Sequence, residues 1–585
     1  MSQLFSSVKV GNTQRSTFDL SHHQVTSSDF GYLIPVCYRD MVPNDDFVVT
    51  PNIFCRLAPM ASPTYGRITC RLHSFFVPYR ILYPHWDAFI TQDGSNHTIP
   101  PYYLATSLQQ ALNTDPLVST GQGIIGSRRG VYSRVMSNLG LNPHAVKAAQ
   151  INERFSAFPF LAYYRIWLDW FMDSSIYDHP TMVAEFNDAI KNGGDLYAAN
   201  PSYIKFIETR YSCYKKDYFT TARINPQDGN PSLVAVDVAG SDLNPGLTPS
   251  TVKPIQLTSV GNVYSNDSLA SSGNTRIGQF TIEALRAANS LQRYLERNNF
   301  VGSKLINRIL AHFGVAPTPE RLDMAEFIGG SSFPIQIGDV TSSNSISSFD
   351  DQMGNNINSS QGIGIEAGKG VGAGKGQSVR YHAKEHGIFM TLMSIVPDTA
   401  YFQGISRFWS KGLTGDALDF FTPEFENLGY QEILNKELYA TGSYNGYQRE
   451  GIFGYSPRYS EYKFQQDVLG GDFISTIATG EDPAYYDYTS TFFSPLNSWH
   501  LFRNLSYSAS SPVALNSNFV EMVNRNTDYD RIFQYTNPSY DHFYFNIDCD
   551  VKATRPMMGF GEPSLSANDE GDGNRINLPY GGTRL

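Results

Sequence analysis

Apolar and polar residues alternate most strictly in "DHFYFNIDCDV", residues 541–551. There Phe543, Phe545, Ile547, Cys549 and Val551 share one face, and His542, Tyr544, Asn546, Asp548 and Asp550 share the other. Period two over that length predicts a strand with one buried face. The same reasoning predicts strands over 46–57, "DFVVTPNIFCRL", and 67–77, "RITCRLHSFFV", separated by a turn that contains Pro63 and Gly66. In the second of these Ile68, Cys70 and Leu72 face one way and Thr69, Arg71 and His73 the other. A further strand is predicted over 387–396, "GIFMTLMSIV".

Helical spacing appears in three places. Leu161, Tyr164, Trp167, Leu168 and Phe171 recur within 160–172, just after Pro159, a residue suited to the first helical turn. Ile282, Leu285, Ala288, Leu291 and Leu295 recur within 282–297, and 303–313 runs to Gly314 as a stop. These read as amphipathic surface helices, not as a bundle. Long stretches rich in turn residues lie between: 91–130, 225–278, and the Gly/Ser-rich 341–378. The expected architecture is mainly β, a single sandwich whose strands are far apart in sequence, with insertions that meet partners. The expected boundaries are an N-terminal arm over 1–45, a sandwich domain with its insertions over 46–553, and a C-terminal arm over 554–585.

Composition adds a reason to expect assembly. Aromatic residues make up 14% of the 585 and charged residues only 17%, against a usual charged share of about 25%. With 36 tyrosines and 38 phenylalanines, much of the surface is expected to be covered by other copies, since such rings suit interfaces. The net charge of −11 argues against general non-specific grip on nucleic acid, which needs clustered Lys and Arg. The five cysteines, Cys37, Cys55, Cys70, Cys213 and Cys549, contain no C-x-x-C pair. They read as buried reduced thiols, with neither a zinc ribbon nor a disulfide framework. The opening residues lack a signal-peptide pattern, and no run approaches the roughly 20 apolar residues of a membrane-spanning helix.

Candidate chemistry is sparse. "HAKEH", with His382, Glu385 and His386, fits the H-x-x-E-H order of a zinc hydrolase. It lacks the helix that would place both imidazoles together, because Gly387 and a strand follow. "GIGIEA" from Gly362 has no strand before it or helix after it, and Lys375 in "GAGKGQ" is followed by Gly376 where a magnesium-binding hydroxyl is needed. "NDEGDG", from Asn568 to Gly573, opens like a calcium loop but reaches Pro579 where a bidentate glutamate belongs. No catalytic residue, metal or cofactor is therefore assigned. Two basic and aromatic patches have the composition for single-stranded nucleic acid: Arg128, Arg129, Tyr132 and Arg134, and Arg210, Tyr211, Tyr214, Lys215 and Lys216. A solvated loop or a subunit contact is the competing reading of both.

Longer strings carry a family resemblance. "LIPVCYRDMVPNDDF" (33–47), "CRLAPMASPTYGRITCRLHSFFVPYRILYPHW" (55–86), "FPFLAYYRIWLDWF" (158–171) and "KKDYFTTARINPQ" (215–227) resemble, in order, signatures of microvirus major capsid proteins. So do "LRAANSLQRYLERNNFVGSKLINRILAHFGV" (285–315), "EFIGGSS" (326–332), "EHGIFMTLMSIVPDTAYFQGISRFWS" (385–410), "FGYSPRYSEYKF" (453–464) and "RPMMGFGEP" (555–563), and the likeness is greatest to the gokushovirus branch. Asn298 to Gly302 depart from the family's Arg-Gly-Gly step, and the tryptophan usual after "DYFT" is absent.

The resemblance implies a viral eight-stranded jelly roll that self-assembles into a T=1 icosahedral shell around a circular single-stranded DNA genome. It implies a non-enzymatic protein of the virion, made and assembled in the host cytoplasm. By position after "DYFT", 225–278 would form a three-fold protrusion that contacts a host surface receptor. Phe75, Phe76, Tyr79, Arg80, Tyr83 and Trp86 would lie where subunits meet. The acidic charge adds the expectation of a small basic protein accompanying the DNA. A phage spike or glycan-binding jelly roll, and more remotely a zinc hydrolase, are the alternatives.

Overall fold

The structure is a computed structural model. It describes residues 15–60, 67–91, 99–113, 130–173, 177–213, 215–223, 225–228, 282–341, 366–397, 404–413, 417–426, 429–438 and 450–465. It also describes 541–557 and a few isolated residues and short pairs between 440 and 533. The chain divides into two compact units, Met1–Ile224 with Gly302–Leu585, and Asn225–Val301. Most of the expected protrusion at 225–278 lies outside the described residues, as do Gly362 and the tail 568–573.

The larger unit is built on a ten-stranded antiparallel sheet. The first strands are β1 (Ser16–Asp19), β2 (His22–Ser28), β3 (Ile34–Met41), β4 (Asp46–Leu57) and β5 (Ile68–Pro78), and an inserted pair follows as β6 (Tyr102–Leu104) and β7 (Arg154–Ser156). Next come β8 (Glu326–Thr341), β9 (Glu366–Lys375), β10 (Val379–His382) and β11 (Gly387–Pro397). The hairpin of β12 (Tyr430–Leu434) and β13 (Ile452–Pro457) and two short pairs, β14 (Ile477–Ala478) with β15 (Tyr486–Asp487) and β16 (Leu505–Ser508) with β17 (Ser511–Leu515), precede β18 (Phe543–Arg555).

The ladder runs β1-β18-β4-β9-β8-β5-β11-β3, with β2 also on β18 and β10 also on β4. It folds over at β8, whose first part pairs with β5 and whose last six residues pair with β9. The two halves thus face each other, and their inward residues form one core. β4 supplies Phe47, Val49, Ile53 and Cys55, β18 supplies Phe543, Phe545, Ile547, Cys549 and Val551, and the opposite half answers with Val36, Cys70, Leu72, Phe76, Phe389 and Met393. This is the expected sandwich. The predicted strands at 46–57, 67–77, 387–396 and 541–551 correspond to β4, β5, β11 and β18.

The two halves differ in how they are covered. β18 alternates strictly between buried and exposed residues, whereas all eleven residues of β11 are buried. The helices that follow β5 are α1 (Tyr79–Leu82), α2 (Trp86–Thr91), α3 (Ala105–Asn113), α4 (Ser133–Asn138), α5 (Pro143–Ala148), α6 (Phe158–Ile166), α7 (His179–Ile190) and α8 (Leu196–Ala199); α1, α4 and α6 pack directly on the second face of the β5–β11 half, and α3, α5, α7 and α8 add to the core behind them. A second core results, in which Phe75, Val77, Ile388, Met390 and Leu392 meet Leu108, Leu161, Tyr164 and Phe186.

Two expectations need correction here. The helix at 160–172 is not a surface element: α6 and the π-helical turn Trp167–Phe171 that continues it are buried from Phe160 to Asp169. Its polar residues pair inside, Arg165 Nε donating to Asp169 Oδ2 at 2.8 Å, which also accepts from the Ala325 amide at 2.9 Å. Burial alone would raise the Asp169 carboxyl, but Arg165, His179 and that amide outweigh it and hold the group below the ordinary carboxylate range.

The second correction concerns 341–378, which is not loop throughout, because 366–375 form strand β9 between β4 and β8. A Cβ on Gly370 would fall 2.6 Å from Leu57 Cδ2, one on Gly372 3.2 Å from Ile335 Cγ1, and one on Gly374 2.6 Å from Phe333 Cγ. The inward face of this strand is glycine because side chains from its neighbours already fill the space. Gly374→Val is therefore expected to destabilise the fold by about 1–3 kcal/mol or more, as overpacking does. The outward Ala373→Val should stay within about 0.5 kcal/mol. Urea unfolding of the two variants compares them directly.

The smaller unit contains α9 (Ile282–Val301), with Leu285, Leu291, Tyr294 and Phe300 about half exposed. Among the described residues no helix is long and apolar enough to cross a membrane.

Candidate assembly surface

The aromatic run that ends β5 turns inward. Phe76, 1% exposed, enters the sandwich with its ring 4.8 Å from Tyr381, and Phe75, also 1% exposed, enters the second core beside Phe327, Phe171 and Trp170. Pro78 ends the strand, and the chain continues as α1. Tyr79 donates to Asp40 Oδ1 at 2.8 Å and packs its ring, tilted, 4.7 Å from both Trp86 and Phe158. Burial, with Asp40 beside it, pushes the Tyr79 hydroxyl up. Tyr83 is fully buried. Of the six candidate contacts only Arg80 and Trp86 keep partial exposure. The physical reason is the helical layer: once the β5–β11 half is covered on both sides, a break in alternation marks two-sided burial and not an outer edge.

Arg80 belongs to an ion-pair strap, its Nε donating to Glu385 at 2.9 Å and its other nitrogens to Asp323 and the Glu320 carbonyl. That strap accounts for "HAKEH". His382 pairs with Asp46 at 2.9 Å, Glu385 is held by Arg80, and His386 packs its ring against Trp86. The three side chains serve three separate neighbours and do not converge on a metal.

The basic patches also divide. Arg128, Arg129 and Tyr214 lie outside the described residues. Tyr132 is half-buried against the second core. Arg134 is buried, its guanidinium donating to both Asp541 oxygens at 2.9 and 2.8 Å and to the Ser27 carbonyl at 2.9 Å, with Tyr32 stacked over it at 4.6 Å. Arg210 lies over the rings of Tyr164 and Trp167 at 5.0 and 4.7 Å and donates to the Lys205 carbonyl. Tyr211 is buried and stacked on Tyr32. Lys215 and Lys216 are exposed, and Lys216 pairs with Asp173 at 2.5 Å. Both described arginines act as internal struts.

Among the described residues, two groups of exposed apolar side chains near ordered elements stand out elsewhere. The first is α10 (Leu305–Phe313), which ends at Gly314 in the left-handed conformation as the sequence predicts. Lys304, just before it, is buried and donates to the Asp169 carbonyl at 2.7 Å. The helix so anchored buries none of its own residues, and Leu305, Leu310 and Phe313 (78% exposed) open outward with Val315 beyond.

The second patch comprises 404–413 and 417–421. Gly404 lets the backbone run against Glu437 of α11 (Asn435–Leu438), since a Cβ there would fall 1.8 Å from the Glu437 carbonyl oxygen. The Glu437 carboxyl accepts from the Tyr218 hydroxyl at 3.0 Å and from the Leu434 amide at 3.1 Å, with Arg407 at 3.5 Å. Burial pushes this carboxyl up. Glu461, which burial would also raise, is held below its ordinary range by Gln431 and Lys411. Tyr459 donates to the Leu418 and Phe420 carbonyls, both at 3.1 Å, and the Lys411 ammonium sits 3.5 Å from the centre of the Tyr462 ring. On this polar framework Phe408 (71% exposed), Trp409 (73%), Leu413, Phe420 and Phe421 stand exposed.

A lone soluble chain seldom fixes large rings in water on an ordered frame, and such patches mark interaction surfaces. Fixing the rings beforehand also lowers the entropy lost on docking. The sequence indicated interfaces through its ring content but did not say which rings. The Phe408-Trp409 tandem was the available local signal.

Comparison with known proteins is consistent with this geometry. A family model described as "Capsid protein (F protein)" matches residues 6–565. The chain is 27% identical to "Capsid protein VP1" of Bdellovibrio phage phiMH2K, across 96% of this chain and 97% of that one. It is 25% identical to "Capsid protein VP1" of Chlamydia phage 1, across 97% and 98%, and 22% identical to that of Spiroplasma virus 4, across 80% and 84%.

Proposed function

Because the chain belongs to the capsid protein (F protein) family, a structural and not an enzymatic family, we propose that its copies close into a T=1 icosahedral shell around a circular single-stranded DNA genome. The observation that supports the assembly step is the pair of apolar patches, α10 and the 404–413 and 417–421 segments, that one chain leaves exposed. Obligate interfaces commonly bury about 2,000–5,000 Å², and rings already fixed in place are suitable anchors for them.

Residues 225–278 are the proposed protrusion toward a host surface receptor, and assembly takes place in the host cytoplasm. The net charge of −11 repels phosphate, so a small basic protein accompanies the genome. Lys215 and Lys216, exposed in the structure, remain proposed DNA contacts, as do Arg128 and Arg129. Arg80 and Trp86 remain proposed rim contacts between copies.

Electron microscopy and sizing of the purified protein test the assembly reading. Closed spherical shells are expected, with a second, basic polypeptide in DNA-filled particles. Trp409→Asp and Phe313→Asp, each made singly, should abolish or sharply reduce shells while the protomer's unfolding free energy stays within about 0.5 kcal/mol, as for ordinary surface changes. Shells that form normally in both variants would remove these patches from the interface.

A further inference from the structure

The ten strands form an open ladder. At one end β1 and β2 lie along β18, and at the other end stands β3. Side chains reach across this seam. Gln24 Nε2 donates to the Pro35 carbonyl at 3.3 Å, Cys549 Sγ donates to the Val36 carbonyl at 3.6 Å, and Arg555 donates to the Asp40 carbonyl at 2.5 Å.

Within the seam His22, Cys37 and Cys549 bring one potential ligand atom each to within 4.8 Å of one another. His22 is the register partner of Cys549 across β2 and β18, so the two side chains leave the same face of that pair. Cys37 comes from β3, the opposite end of the ladder. Both cysteines are free thiols, 2% and 1% exposed, in an otherwise apolar interior. His22 is half-buried at the entrance of β2, and its Nδ1 lies 3.3 Å from the Leu20 carbonyl. In the tautomer that donates to Leu20, Nε2 keeps the lone pair that a cation takes, the usual second-shell arrangement of a ligating histidine.

We propose that His22, Cys37 and Cys549 form a zinc site that clips the two ends of the sheet together. Two thiolates and a neutral imidazole are a soft ligand set, and their summed charge neutralises a divalent cation in a buried setting. The fourth coordination position faces the half-exposed His22 side, where water takes it. Each thiol releases its proton to solvent when the metal binds. The other cysteine pair inside the sandwich, Cys55 on β4 and Cys70 on β5, has no imidazole within ligating reach among the described residues, so it forms no such site.

The test uses the full-length protein, exposed to Zn²⁺, desalted and analysed for metal. Stoichiometric zinc is expected, together with a thiolate-to-metal charge-transfer band when Co²⁺ is substituted. His22→Ala, at the strand entrance, leaves the interior packing in place. It should weaken zinc binding by at least the roughly 10–100-fold that loss of a mere supporting partner causes. Cys549→Ser should abolish the charge-transfer band. Folded wild-type protein that retains no zinc would overturn the proposal. So would zinc retained undiminished in His22→Ala, or Cys37 and Cys549 found joined to each other as a disulfide with no metal.

Discussion

Arg134→Ala is expected to cost about 3–5 kcal/mol of folding stability, the range for removing one partner of a buried ion pair. The guanidinium holds both oxygens of Asp541 and the Ser27 carbonyl, and so ties α4 to the end of β2 and to Asp541, two residues before β18. Removing it strands the Asp541 carboxylate, 10% exposed, with its principal countercharge gone. Asp541→Asn should cost a comparable amount for the complementary reason, and the double variant should cost less than the sum of the two. The alternative role, a DNA contact, makes a different prediction. Under it, protomer stability would be unchanged and only the DNA content of particles would fall. Denaturant unfolding of the protomer together with nucleic-acid assay of particles separates the two outcomes.

Phe76→Ala should be similarly severe, at about 3–5 kcal/mol, because it empties a ring-sized volume between the two halves of the sandwich. The ring is 1% exposed and packs on Tyr381. It also sits against Gly387, where an added Cβ would fall 2.6 Å from Phe76 Cζ. Collapse into the gap is limited because both flanking strands, β8 and β11, are held in ladders along their length. Phe76→Leu, which keeps most of the volume, should cost under about 1.5 kcal/mol. A loss confined to particle yield, with protomer unfolding unchanged, would instead place the ring at a contact between copies.

These two side chains illustrate what the sequence could and could not disclose. The strands β4, β5, β11 and β18 were legible because one-sided burial writes period two into the chain, and two-sided burial writes the continuous apolar run of β11. Strand β9 was hidden by its glycines. They alternate at Gly370, Gly372 and Gly374 just as buried apolar residues would, but their meaning depends on Leu57, Ile335 and Phe333 arriving from neighbours remote in sequence. α6 was misjudged because Arg165 and Asp169 resemble a wet face until they are found paired with each other. Arg134 and Arg210 were read as free for the same reason. A cation beside a ring reads alike whether it waits for a nucleotide or already holds a carboxylate. The family resemblance identified the kind of protein, while the location of its uncovered rings required coordinates.

The pairing of β1 and β2 with β18 sets an order of events. Ser16 lies opposite Arg555, and His22 opposite Cys549, so strands very far apart in sequence are immediate neighbours. Contacts of such long sequence separation form late. A nascent chain still on the ribosome, lacking 543–555, has no place to seat its first strands and leaves β4 with an open edge. The sandwich closes on this side only once β18 has been made, and a copy cut short before it offers an unfinished edge in place of a wall.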